Sequence, residues 1–183
     1  MRRYLPSCLL FALLQTSTAC SNYDVTVNDA TVYRPQRPFD QFDITDPALQ
    51  ACLEQVIADQ VITEAAGLTH LSCTHAGIKD LDGLRAFSAI SHLKLSANNI
   101  RNLLELRQLK RLQVLQLDGN NIVDPIPLRA LRRLEHQDLR DNKNLQCPPR
   151  DSFSKVEHVS LPAHCATSPD EMNSPAAPES PYR

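Results

Sequence analysis

The sequence predicts an α/β repeat solenoid: a short coil of stacked units with a cap at each end. Three observations predict it. Of 183 residues, 26 are Leu, against only 4 Gly and no Trp. The middle of the chain matches itself at an offset of 22 residues. The pattern degenerates at its two ends, where a coil has no neighbour and must face water. Hydrophobic residues make up 42% and charged residues 22% of the chain, enough to bury a core. A net charge of -2 argues against a nucleic-acid binder that works by bulk charge, and no GxGxxG or GxxxxGK[ST] loop is present to cradle phosphate.

The offset places Leu71, Leu93 and Leu115 in one column, Cys73, Leu95 and Leu117 in the next, then Ala76, Asn98 and Asn120, and then Ile78, Ile100 and Ile122. Leu81, Leu103 and Pro125 continue the register, followed by Leu84, Leu106 and Leu128, by Phe87, Leu109 and Leu131, and by Ile90, Leu112 and Leu134. The clearest units, 90–100 and 112–122, resemble LxxLxLxxNxI, the leucine-rich repeat consensus, and the 22-residue length resembles the bacterial internalin-type class. The resemblance covers about residues 44 to 165 and implies a short leucine-rich-repeat solenoid, a right-handed coil with a small parallel sheet on its concave side. In physical terms the LxL triplet is a short strand with both Leu inward, and the Asn hydrogen-bonds backbone groups that the turn leaves orphaned. The later Leu fill the same core from the convex side.

Repeats are expected over 68–144. A fourth unit runs Leu134, Gln137, Leu139 and Asn142, with one extra residue before Leu145 and polar Gln137 where Leu belongs. A degenerate fifth strand is expected over 156–161, where Val159 and Leu161 keep the offset, inside a C-terminal cap over 145–165. At the other end, Asp46 and Pro47 read as an N-cap and first helical residue. Leu49, Cys52, Leu53, Val56 and Ile57 then follow at helical spacing, so a helical cap is expected over 44–67. The segment resembles the helical cap of internalin-like proteins. Cys52 would face the first coil, where Cys73 holds an inward strand position. This arrangement selects Cys52 with Cys73 and Cys147 with Cys165, one disulfide per cap, since other pairings would join opposite ends of the solenoid.

The ends read as an address and flanking segments. Arg2 and Arg3 precede a short apolar run over 9–14 and small residues, the layout of a signal peptide over 1–19. Ser17, Thr18, Ala19 and Cys20 resemble a bacterial lipobox, with Ser17 in place of the usual Leu. That resemblance implies acylation of Cys20, ordinary cleavage after Ala19 being the alternative, and Ser21 in place of Asp favours the outer membrane. Residues 20–43 are expected as a lipid-anchored or flexible linker in which Val25, Val27, Val32 and Tyr33 allow a short edge strand. Residues 166–183, rich in Pro, Ser, Ala and acidic side chains, are expected to be a disordered tail.

The residues alternating with the strand leucines should line the concave face. One column reads His70, His92, Val114, His136 and His158; the remaining histidines, His75 and His164, fall in expected turns. A second column reads Ser72, Lys94, Gln116, Asp138 and Ser160, and a third Thr74, Ser96, Asp118, Arg140 and Pro162. His70, Ser72, His92, Lys94, Gln116, Asp118, His136, Asp138, Arg140 and His158 form the expected ligand-binding face, which holds no aromatic cluster. Adjacent imidazoles such as His70 with His92, or His136 with His158, could share a divalent ion or repel one another when protonated. No metal-ligand set is assigned, because no CxxC occurs and the column lacks a neighbouring carboxylate in most repeats.

On the convex flank Arg85, Arg107 and Arg129 stack at the repeat offset, and Lys110 and Arg111 stack on Arg132 and Arg133. Residues 68–150 hold 13 Lys or Arg against 8 Asp or Glu, a section charge of +5. No nucleophile with a base at sensible spacing stands out, and neither GxSxG nor HExxH occurs. The expectation is a non-enzymatic recognition protein of the bacterial cell envelope, monomeric and without a cofactor, whose partner is a protein or an envelope component. Export to the outer membrane as a lipoprotein is expected, with a periplasmic or secreted soluble form as the alternative. Two other readings are carried: metal- or pH-responsive binding through the His column, and a structural envelope lipoprotein contacting an anionic surface through its basic flank.

Overall fold

The computed structural model describes residues 25–27, 30–33 and 39–166. The expected signal peptide, Cys20 and nearly all of the expected tail lie outside the described residues. Strands β1 (Val25–Val27) and β2 (Ala30–Tyr33) pair antiparallel, with Val25 opposite Tyr33 and Val27 opposite Ala30. This part of the expected linker is therefore a two-stranded hairpin, and its Val, Thr and Tyr content is what strands favour. The hairpin forms a unit by itself.

The second unit begins before residue 44. Phe39 and Phe42 pack against Phe87 of the first coil, with ring centroids 6.1 and 5.3 Å away, and the Phe39 N–H donates to the Ile62 carbonyl at 2.7 Å. These rings add to the N-terminal cap, because a single helix leaves part of the first coil's apolar edge uncovered. Gly83 lets the chain lie so close: a Cβ there would sit 2.0 Å from the Asp43 carbonyl oxygen, and its φ of 93° is one that side chains disfavour.

Helix α1 (Pro47–Asp59) starts where its sequence says it should. Asp46 Oδ1 accepts from the Ala48 and Leu49 N–H groups at 2.9 and 3.1 Å, and Pro47 occupies a position whose N–H would be orphaned anyway. Leu49, Leu53 and Ile57 form a fully buried stripe against the first coil, with Cys52 and Val56 half-buried at its edge. Burying each of those three side chains contributes about 1.5–3 kcal/mol.

Five three-residue strands follow in chain order: β3 (His70–Ser72), β4 (His92–Lys94), β5 (Val114–Gln116), β6 (His136–Asp138) and β7 (His158–Ser160). They make one parallel sheet in which every pair of partners is 22 residues apart, so His70, His92, Val114, His136 and His158 are paired in succession. Short 3-10 segments line the convex side at Leu84–Ala86, Leu104–Gln108, Ile126–Ala130 and Arg150–Phe153. They bury Leu84, Leu106, Leu128 and Phe153. The strand expected over 156–161 is only three residues long, because the chain turns at once into the short helix α2 (Ala163–Ala166). His164, expected in a turn, lies in α2, where its Nε2 is 2.9 Å from the Leu145 carbonyl oxygen.

A ladder of asparagines ties coil to coil. Asn120 Nδ2 donates to the Leu95 and Leu117 carbonyls at 2.9 and 3.0 Å, and its Oδ1 accepts from the Ile100 N–H at 3.0 Å. Asn98 and Asn142 repeat the pattern one coil earlier and one later. Ala76 holds the equivalent place in the first coil, and Asp46 ties that coil to the helical cap. Its Oδ2 takes the Lys79 and Asp80 N–H groups at 2.8 and 3.1 Å while Oδ1 caps α1. Burial pushes this carboxyl up, but the donors of Lys79, Leu49, Asp80 and Ala48 outweigh it and hold the group below the usual carboxylate range.

Each cap carries one disulfide, Cys52–Cys73 and Cys147–Cys165. Gln137 is the misfit of the interior. It lies in the strand-leucine column between Leu115 and Val159, is 2% exposed, and neither side-chain amide atom has a hydrogen-bond partner. An unsatisfied buried polar group costs about 1–3 kcal/mol. Gln137→Leu is therefore expected to raise the unfolding free energy by about 2 kcal/mol. A urea midpoint moved upward with an unchanged slope would bear this out, and an unmoved or lowered midpoint would refute it.

Candidate functional site

The concave sheet is built by strands too short to carry more than two outward residues each. In the first column the rings of His70 and His92 stack with centroids 4.3 Å apart and planes 16° from parallel. Those of His136 and His158 stack at 4.6 Å and 14°. Zero register shift between strands about 4.8 Å apart produces this stacking directly. Val114 separates the two pairs.

The pairs differ in their surroundings. Residues 69 and 91 carry hydroxyls that hydrogen-bond the following ring: Thr69 Oγ1 lies 2.9 Å from His70 Nδ1, and Ser91 Oγ lies 2.9 Å from His92 Nδ1. At the same register position the later coils carry Gln113, Glu135 and Glu157, with Gln113 Nε2 donating to Glu135 Oε1 at 3.3 Å. Donor atoms of His136, Glu157 and His158 all lie within 4.8 Å of one another. Glu157 is the residue that sequence reasoning misses. By strict alternation a residue next to an outward His points the other way, but β7 begins at His158, so the pleat does not hold position 157. The other donor cluster, Cys147, His164 and Cys165, has both thiols committed to a disulfide.

In the second column Ser72, Lys94 and Ser160 are exposed, while Gln116 and Asp138 are half-buried. Arg140 Nη2 and Nε donate to Asp138 at 2.6 and 2.9 Å. Burial pushes Asp138 up, but the hydrogen bonds and charge of Arg140 win and hold it below its ordinary value. The same pairing holds Arg140 above its own. The third column is not a uniform outward face. Ser96 is buried and donates to Asp118, and Pro162 is buried as well, because the chain has already left the strand and is bending into the turn there.

On the convex side Arg85, Arg107 and Arg129 sit in successive 3-10 segments, all exposed, and Arg85 lies 3.9 Å from Glu105. Lys110 Nζ reaches the Ala130 carbonyl at 3.5 Å, and Arg111, Arg132 and Arg133 are exposed. A cleft of about 520 Å³ near Arg85 is lined by Phe42, Asp43, Thr45, Asp82 and Glu105 among others. Among the described residues no helix is long and apolar enough to cross a membrane.

In-register parallel strands at a 22-residue repeat, an asparagine ladder and a capped edge at each end define a leucine-rich-repeat solenoid with a concave parallel sheet, an N-terminal helical cap and a disulfide-linked C-terminal cap. Solved internalins of Listeria monocytogenes are similar to it. Internalin InlF matches with a TM-score of 0.58 and 20% identity, over 66% of this chain and 37% of its own. Internalin C2 matches at 0.44 and 26%, over 52% and 44%. The functional domain of InlJ, which includes a cysteine ladder, matches at 0.46 and 26%, over 51% and 20%. The chain thus corresponds to less than half the length of each. No protein-family model matches the sequence, and no curated protein does.

Proposed function

We propose that the protein is a non-enzymatic recognition module of the bacterial cell envelope, exported, tethered through an acylated Cys20 at the outer membrane, and presenting its concave sheet to a protein partner. The observation that carries this reading is the zero-shift register of β3 to β7, which sets His70, His92, Lys94, Gln116 and His158 side by side on one open polar surface. A face that holds its side chains on a rigid scaffold loses little entropy on binding. Aromatic anchors are missing from β3 to β7, so the contact is polar and modest in affinity. The exposed arginines of the convex flank support a second reading, a structural lipoprotein whose basic side rests on an anionic surface.

The two separate by crosslinking in the native envelope. With the recognition reading, the paired substitution His92→Glu and Lys94→Glu removes the crosslinked partner while Arg107→Glu with Arg129→Glu leaves it in place. The reverse outcome would discard recognition by the concave face in favour of the basic flank. Cys20→Ala is expected to abolish labelling by a fatty acid and to release the protein from the membrane fraction. Unchanged mass and fractionation would remove the anchor.

A further inference from the structure

We propose that His136, Glu157 and His158 form a binding site for one divalent transition metal ion of the zinc class at the C-terminal end of the concave face. Their donor atoms lie within 4.8 Å of one another, and Glu157 and His158 are exposed to solvent. Two imidazoles and a carboxylate are a set that zinc accepts, with bonds of about 2.0–2.2 Å and a fourth position left open. The proposal is independent of what the concave face recognises.

The sheet register brings the imidazoles together, since paired residues on adjacent parallel strands project the same way. In the stacked arrangement the two ring planes lie 14° from parallel. Tetrahedral coordination asks the two nitrogens to approach to about 3.4 Å, which a splay of the rings about their side-chain torsions provides. Glu157 closes the third side, and its negative charge makes the set net anionic when both rings are neutral. Glu135, paired with Gln113, adds a second carboxylate in the same register column. Asp138 and Arg140, the charged pair next along these strands, are engaged with each other, so the guanidinium does not stand as a lone cation against the ion.

The molecule contains its own control. His70 and His92 stack as closely, yet the position before each ring holds a hydroxyl already bonded to Nδ1. Among the described residues, no third His, Cys, Asp or Glu donor joins that pair. If stacked histidines were sufficient, both pairs would bind; if the carboxylate decides, only the C-terminal pair does.

Calorimetric titration of the tag-free full chain, both disulfides formed, with zinc chloride at neutral pH is expected to give one zinc per chain. His136→Ala and His158→Ala should each weaken binding by at least the 10- to 100-fold that loss of even an outer-shell partner costs, roughly. Glu157→Gln, which keeps shape and removes the charge, should weaken it about tenfold. His70→Ala with His92→Ala should leave stoichiometry and affinity unchanged. X-ray absorption of the zinc-loaded wild type should show two imidazoles and an oxygen donor, a readout independent of how any variant folds. The proposal is overturned by wild type that binds no more zinc than His136→Ala with His158→Ala, by equal loss in the His70 and His92 variant, or by a metal environment with one imidazole or none.

Discussion

Asn142→Ala is expected to lower the unfolding free energy by about 4 kcal/mol, from at least two orphaned buried groups at about 1–3 kcal/mol each together with the lost bonds themselves. The Asn142 side chain is fully buried. Its Nδ2 donates to the Leu117, Leu139 and Arg140 carbonyls at 3.0, 2.9 and 3.2 Å, and its Oδ1 accepts from the Ile122 N–H at 3.0 Å. Alanine supplies none of these. Asn142→Asp keeps the acceptor and sets a carboxylate against carbonyl oxygens, so it does not rescue. Exposure then ranks the series: Asn120 is 8% exposed and should lose nearly as much, whereas Asn98 is half-buried and should lose about half. Urea unfolding of the three alanine variants measures it. Equal losses below about 1 kcal/mol would mean that the ladder is not what joins the coils.

That ladder was legible in the sequence because its physics is periodic. A residue needed once per coil recurs at a fixed offset, as do the inward leucines and the strand register, and Asp46 with Pro47 is a local signal for a helix start. What escaped is what occurs once. Asp46 serves α1 and the first coil together, and only the folded chain shows that its second oxygen takes the Lys79 and Asp80 N–H groups. Phe39 and Phe42 lie in a segment without periodicity, so their packing on Phe87 has no local signature. Val25, Val27, Val32 and Tyr33 carried strand propensity, but pairing into a hairpin depends on a partner strand, which propensity does not specify. In the candidate site, the columns follow from the offset, and the stacked histidines follow from the columns. Glu157 does not, because it precedes β7 and alternation holds only within the strand.

Removing either cap disulfide is expected to cost about 3 kcal/mol in the loop-entropy model, since the bridges close loops with separations of 21 and 18 residues. The two losses should differ in kind. Cys52–Cys73 fastens α1, whose Leu49, Leu53 and Ile57 stay buried on the first coil by apolar contact alone. Cys52→Ser with Cys73→Ser should therefore lower the midpoint of one global transition. Cys147–Cys165 fastens α2, which is four residues long, and the last coil, whose strand β7 has only half-buried Val159 facing inward. A terminal coil held by so little apolar area opens before the rest of a solenoid, whose coils are stabilised chiefly by their neighbours. Cys147→Ser with Cys165→Ser should thus release amide protons over 145–166 to fast exchange while 68–140 stays protected. Equal protection of both regions, or loss of protection throughout, would contradict the distinction. Because β7 carries His158, the same variant should also lose the zinc of the His136, Glu157 and His158 site, whereas the Cys52 and Cys73 variant should retain it under conditions where it is folded.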